Sequence, residues 1–190
     1  MRIIAGTFGG RTIKTVEGPG YRPAMARVRE SLFSMLESRG AAWHGARVMD
    51  LFAGSGSLAF EALSRGAAEA TLVEMAPQAV KCLRANAALL RLDEGRCRIV
   101  TDDVLKLLSR GCALPCDVTF IDPPYGKNLL QPALRSLLRR GWLAEDALVC
   151  AEVEASLSFD AAKAHAGLEL LADRNFGQTR IVIWKHIQEQ

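Results

Sequence analysis

A buried strand that runs straight into a glycine turn and then a helix leaves a chain few folds to choose from, and residues 47–65 have that order. Val48 to Leu51 is an apolar run, Gly54 and Gly56 allow a tight turn, and Ser57 opens a helical pattern whose amides point back at the turn. Such a turn is a nucleotide-type cradle at the mouth of a parallel sheet. Gly54-x-Gly56-x-x-Ala59, with Glu74 ending the next strand-like run, is compatible with the dinucleotide fingerprint. Alone it fits a nicotinamide enzyme, another adenosyl-cofactor enzyme, or a turn with no ligand.

The unit then repeats. Period and turn residues predict strands over 47–51, 70–74, 97–100, 117–121 and 147–153, and helices over 57–65, 78–90, 104–109 and 129–139. This alternation argues for βαβ units with right-handed crossovers. The end departs from it: strand-like runs at 168–173 and 179–185 are too close for a crossover helix, so they pair antiparallel. Residues 159–166 are ambiguous, a short or irregular helix. The fold class expected is α/β, a mostly parallel doubly wound sheet closed by an antiparallel hairpin.

Ahead of the sheet, runs at 2–8 and 12–16 flank Gly9-Gly10-Arg11 and predict a hairpin; a loop over 17–23 and a helix over 26–38 follow. We divide the chain accordingly into a basic extension, 1–39, and a ligand-binding domain, 40–190. The extension holds seven Lys and Arg against three Glu, a net of +4, whereas the whole chain carries +3. The remainder therefore sums to −1, and the basic excess lies in the extension. That asymmetry favours an anionic macromolecular partner, with Arg11, Arg22, Arg27 and Arg29 suited to phosphate contacts.

Composition narrows the setting. No long apolar run suggests a membrane span, and the start Met-Arg-Ile-Ile-Ala-Gly is unlike a secretory signal. Five cysteines, Cys82, Cys97, Cys112, Cys116 and Cys150, fit reduced thiols in a cytoplasmic protein; without a second Cys or His pair, Cys112-x-x-x-Cys116 is not expected to bind metal. His44, His165 and His186 share no motif, and Trp43, Trp142 and Trp184 read as packing residues.

Four acids end strands at the same rim. Asp50 can organise the loop amides or accept from a ligand, Glu74 offers two acceptors to a ribose, and Asp102 or Asp103 can reach an adenine amine or cap a helix. Phe52 either shapes this pocket or covers the first strand. Ile121-Asp122-Pro123-Pro124-Tyr125 follows the fourth strand at this edge. The prolines stiffen the exit and leave the Pro123 carbonyl free to accept, Asp122 supplies a second acceptor, and Tyr125 supplies a ring. A nucleobase amine is poorly nucleophilic because its lone pair is delocalised; acceptors on its hydrogens can aim that pair at an electrophilic methyl group. Hydride chemistry is disfavoured by this turn, and cysteine-based pyrimidine methylation by the position of Cys116 at the far end of its strand.

Asp50-Leu-Phe-Ala-Gly-Ser-Gly56, Asp122-Pro-Pro-Tyr125, Met1-Arg-Ile-Ile-Ala-Gly6, Gly10-Arg11 and Arg22-Pro23 together resemble the RsmD family of bacterial small-subunit ribosomal RNA methyltransferases, over essentially the whole chain. The resemblance implies a class I S-adenosylmethionine-dependent enzyme that methylates the exocyclic N2 of one guanine in 16S rRNA, in an assembled or nearly assembled small subunit. No metal and no membrane are expected, and a monomer suffices for the chemistry. The resemblance assigns Asp50, Gly54, Gly56, Glu74 and Asp103 to the cofactor, beside which Phe52 is a further cofactor-pocket candidate, Asp122, Pro123, Pro124 and Tyr125 to catalysis, and Arg11, Arg22, Arg27 and Arg29 to RNA. The chain departs from the family pattern at Tyr21 and at Ala24-Met25-Ala26, where Thr and an acid are common. Two alternatives stand beside it: an adenine-N6 methyltransferase on DNA or RNA, and a noncatalytic RNA-binding assembly factor.

Overall fold

The structure, a computed structural model, describes residues 1–16, 26–112 and 114–187; the predicted loop 17–23, with Arg22, lies outside them. One sheet has the strand order β3-β2-β1-β4-β5-β7-β6. Its strands are β1 (Arg47–Leu51), β2 (Glu69–Glu74), β3 (Cys97–Thr101), β4 (Cys116–Ile121), β5 (Leu143–Glu154), β6 (Leu168–Phe176) and β7 (Thr179–His186). Strands β1 to β5 are parallel; β7 runs antiparallel to β5, and β6 antiparallel to β7. Helices α1 (Ala26–Glu37), α2 (Ser57–Arg65), α3 (Pro77–Leu90), α4 (Val104–Leu108) and α5 (Leu130–Arg139) connect or cover them, and Ala161–Lys163 is a single 3₁₀ turn in the ambiguous segment. None of the described helices is long and apolar enough to cross a membrane.

Alternation along each strand feeds two cores. Val48, Leu72, Phe120 and Cys150 pack with Leu32 and Phe33 of α1, Phe60 of α2 and Leu83 of α3. Met49, Leu51, Ile121 and Val149 face the other way, toward Val104 and Leu108 of α4 and Leu134 and Leu137 of α5. Strand β5 begins earlier than the expected residue 147 because Leu143 pairs with Cys116 across a register shift. The polar run Ala144-Glu145-Asp146 hides that pairing, and Asp146 takes a positive φ of 60° within it.

The N-terminal hairpin is slighter than its pattern predicts. It is an isolated antiparallel bridge between Arg2 and Thr12, with the Ile3 amide donating to the Arg11 carbonyl at 2.9 Å. The next amides are spent on α2: those of Ile4 and Ala5 donate to the Glu61 carboxylate at 2.7 and 3.0 Å, and that of Phe8 to Ser64 Oγ at 2.9 Å. At Gly6 the chain lies so close to α2 that a Cβ would stand 1.8 Å from the Ser64 carbonyl oxygen. Ile3 and Ile13 join the same core as Leu32, Phe33 and Leu36 of α1 and the sheet.

Candidate active site

Parallel strands deliver their C-terminal ends to one edge, and the order reverses between β1 and β4, which places a crevice there. Leu51 pairs with Val73 and with Ile121, while Glu74 pairs with Thr101. The segments following these residues therefore share a rim: the glycine turn, Glu74-Met75, Asp102-Asp103 and the Asp122–Tyr125 turn.

The glycine turn is held by its own acids. Phe52 leaves β1 at a φ of 63°, a left-handed conformation that costs an aromatic residue about 1–2 kcal/mol and turns the backbone across the sheet edge. The Gly54 amide donates to Glu74 Oε2 at 3.0 Å, and the amides of Met75 and Ala76 both donate to Oε1 at 2.8 Å. Glu74 thus pins its own turn and the glycine loop together, and three donors leave a carboxylate acceptor site for a ligand. Gly56 adopts a φ of 78°, and a Cβ there would lie 2.4 Å from the Phe60 ring, so only glycine lets α2 start against the loop. One turn into that helix the Ala59 amide donates to Asp50 Oδ2 at 3.2 Å. Asp103 caps α4 by accepting from the Lys106 amide at 2.9 Å, and Asp102 binds Arg110 at 2.7 Å.

On the other side of the crevice Pro123 is buried and Pro124 exposed. The Tyr125 hydroxyl lies 3.4 Å from Thr179 Oγ1, at the turn where Phe176 ends β6, and the Gly126 amide donates to Glu154 of β5. The turn after β4 is therefore anchored both to β5 and to the C-terminal hairpin.

Asp50, Asp122 and Glu152 come together beneath α1. Phe120 faces α1 and pairs with Asp50 and Cys150; two residues further along, Asp122 and Glu152 face the same way. Burial pushes the Asp50 carboxyl up to about 8 against the Ala59 hydrogen bond, with Glu74 adding to the rise. Burial, then Glu152 and Asp50, raise Asp122 well above its usual value. Glu152 is also raised by burial, with Arg29 pulling the opposite way.

That countercharge corrects one expectation. Arg29 does not face outward to meet phosphate; it is 2% exposed, with Nη2 donating to the Arg2 carbonyl at 2.8 Å and Nη1 directed at the Met1 sulfur. It lies one turn before Phe33, whose ring packs 5.8 Å from Phe120, so the guanidinium sits inside the fold near Glu61 and Glu152. Arg11 and Arg27 are exposed, though Arg11 also donates to the Leu89 carbonyl at 3.1 Å.

Several residues had no motif to announce them. Glu152 reads as an acid in an apolar strand and meets Asp122 only through β4–β5 pairing. Asn86, fully buried, accepts from the Lys14 amide at 2.8 Å and donates at 3.0 Å to the Lys14 and Ser55 carbonyls, tying the N-terminal segment to the glycine loop. Met75, 64% exposed beside Glu74, sets an apolar surface next to an acceptor.

The raised carboxyls make a stability prediction. Asp50 binds its proton more tightly folded than unfolded, so its contribution is complete below about pH 4 and is lost as pH rises through about 8. The thermal midpoint of the ligand-free protein should fall between pH 5 and pH 8.5, and Asp50→Asn should flatten that fall. Parallel pH curves for the two proteins would contradict the assignment.

Comparison with known proteins places the chain among relatives of known fold and family. The family model described as "Conserved hypothetical protein 95" matches residues 1–185. Ribosomal RNA small subunit methyltransferase D of Escherichia coli K12 is 40% identical over 154 residues, 81% of this chain and 75% of that protein. Its namesake from Haemophilus influenzae is 36% identical over 155 residues, 81% and 79% of the two chains. Among solved structures, the yhhF protein of E. coli superposes with a TM-score of 0.84 at 34% identity, covering 100% of this chain and 99% of that one. A ribosomal protein L11 methylase from Lactobacillus delbrueckii, 16% identical, shares the fold at a TM-score of 0.69, over 90% and 83% of the two chains.

Proposed function

We propose, from the premise that this chain belongs to the RsmD family, that it is an S-adenosylmethionine-dependent ribosomal RNA methyltransferase acting on a guanine N2 amine of 16S rRNA. Its substrate in this reading is the assembled or nearly assembled small subunit, and it works as a cytoplasmic monomer. The observation that carries the reading is the adjacency of two turns: β1 and β4 are hydrogen-bonded neighbours, so the glycine cradle and Asp122-Pro-Pro-Tyr125 open side by side.

The residues present suit the cofactor. Glu74 retains an acceptor site for one ribose hydroxyl, Met75 offers an apolar face to adenine, and Asp103 stands at the adenine side. Phe52, Gly54 and Gly56 bring the backbone against the ligand, and Asp50 steadies the loop. When bound, S-adenosylmethionine supplies an electrophilic methyl group on a cationic sulfur.

Asp122 and the Pro123 carbonyl accept the two hydrogens of the guanine amine, and Tyr125 stacks on the base. Pro124 stiffens the turn. This grip rotates the nitrogen lone pair out of conjugation and toward the methyl carbon. Methyl transfer from the bound cofactor would leave the amine nitrogen with a proton to lose, and Asp122, whose proton affinity burial raises, would be the adjacent acceptor. Arg11, Arg22 and Arg27 are assigned to the RNA backbone.

Labelled S-adenosylmethionine, small subunits lacking the modification and purified protein should place label on a single guanine as N2-methylguanine, identified by nucleoside analysis. N6-methyladenine in RNA or DNA would replace this reading with the adenine alternative, and cofactor binding without transfer would favour a noncatalytic assembly role.

A further inference from the structure

Counted along the chain, the positive excess ends near residue 39; folded, it continues onto α3. Residues 1–16 and 77–92 contain Arg2, Arg11, Lys14, Lys81, Arg84 and Arg91 and not one Asp or Glu. The two segments are in contact. Arg11 donates to the Leu89 carbonyl, and Asn86 holds the Lys14 backbone on one flank of α3 while reaching Ser55 of the glycine turn. Lys81 and Arg84 follow around the exposed side of the same helix.

Between α3 and the end of β3 lies a cleft of about 420 Å³ lined by Pro77, Val80, Lys81, Arg84 and Thr101. Among the described residues neither Lys81 nor Arg84 forms an ion pair. Asp102, next to Thr101, is already bound by Arg110. Because β3 is the outermost strand, the cleft opens to solvent and can admit a segment of a large molecule.

We propose that the cleft between α3 and β3 is a phosphodiester-binding site, where Lys81, Arg84 and the Thr101 hydroxyl hold RNA backbone that runs on past Lys14 to the methyl-transfer crevice. A side-by-side pair of cations and a hydroxyl is the equipment by which proteins position a nucleic-acid backbone without reading its bases. The track passes the cofactor turn at Lys14 and continues down α3, so the RNA is gripped on the cofactor side of the crevice as well as at the N-terminal arginines. This rests on the ribosomal RNA reading above.

The test is equilibrium binding of unmodified small subunits to the wild-type protein and to Lys81→Glu/Arg84→Glu, across a salt series, with S-adenosylmethionine affinity and thermal midpoint measured alongside. The double variant should bind subunits at least about tenfold more weakly at low salt, and removal of two phosphate contacts should flatten the log–log salt slope by about 1.4–1.8. Cofactor affinity and midpoint should not move. Unchanged subunit binding and slope overturn the site while leaving the methyltransferase reading intact. Loss of cofactor affinity with subunit binding retained also overturns it, because the cleft then serves the cofactor. A wild-type protein that binds no subunit under any salt condition overturns both readings. Lys81→Gln/Arg84→Gln, which removes charge without introducing repulsion, should reproduce the flatter slope; a slope equal to wild type in that variant counts against direct phosphate contact.

Discussion

Asp122→Ala lowers single-turnover methyl transfer by about 10²–10³-fold, the scale expected when one preorganised polar group at a reacting centre is removed, and leaves cofactor affinity nearly unchanged. The stability of the variant separates chemistry from folding. Asp122 stands near Asp50 and Glu152, and all three are raised by burial. Deleting one acid relieves repulsion on the others, so the thermal midpoint at pH 8 should hold or rise while the rate collapses. Asp122→Asn retains one oxygen acceptor and should keep more activity than alanine. A rate near wild type, or a rate loss matched by a drop in midpoint, would remove Asp122 from the reaction.

Arg29→Met costs about 3–5 kcal/mol of folding stability, as expected when one member of a buried charged group is deleted and its partners are left in low dielectric. Burial lowers the Arg29 pKa while Glu61 and Glu152 raise it, so the cation is held in the fold by those two acids. Glu61 keeps Arg65 at 2.9 Å and the Ile4 and Ala5 amides, whereas Glu152 is offset chiefly by Arg29. Arg29→Met/Glu152→Gln should therefore recover part of the loss, and a double-mutant cycle built with Glu152→Gln measures the coupling. Losing the cation also raises carboxyl proton affinity at the crevice, so the acid limb of the activity profile should move to higher pH in Arg29→Met. Chemical denaturation that registers less than about 1 kcal/mol for this variant would place Arg29 outside the charge group.

The two predictions concern residues of different legibility. Asp122 announced itself through its neighbours in sequence, because two prolines and a tyrosine after an apolar strand have a local chemical meaning. The charge of the extension points to Arg29 as a phosphate-contact residue, although positions 29, 32, 33 and 36 form one stripe and the last three are apolar. The stripe was the better guide. Glu152 and Asn86 had no comparable signal: one becomes functional company for Asp122 only when β5 pairs with β4, and the other acquires its partners only when the N-terminal segment and the glycine turn lie against α3. The hairpin expected at 2–16 shrank to a bridge for a similar reason, since α2 offered its amides better acceptors than a partner strand did.

By itself the sequence determined the βαβ alternation, the C-terminal antiparallel pair, the glycine turn and the acidic Pro-Pro-Tyr turn. Periodicity and backbone restriction act over a few neighbouring residues, so they can be read without coordinates. Only the tertiary structure decided which charges meet: that Arg29 turns inward to three acids' side of the sheet, and that α3 joins the basic face. Electrostatic partners are set by strand register and helix docking, and both bring together residues that lie far apart along the chain.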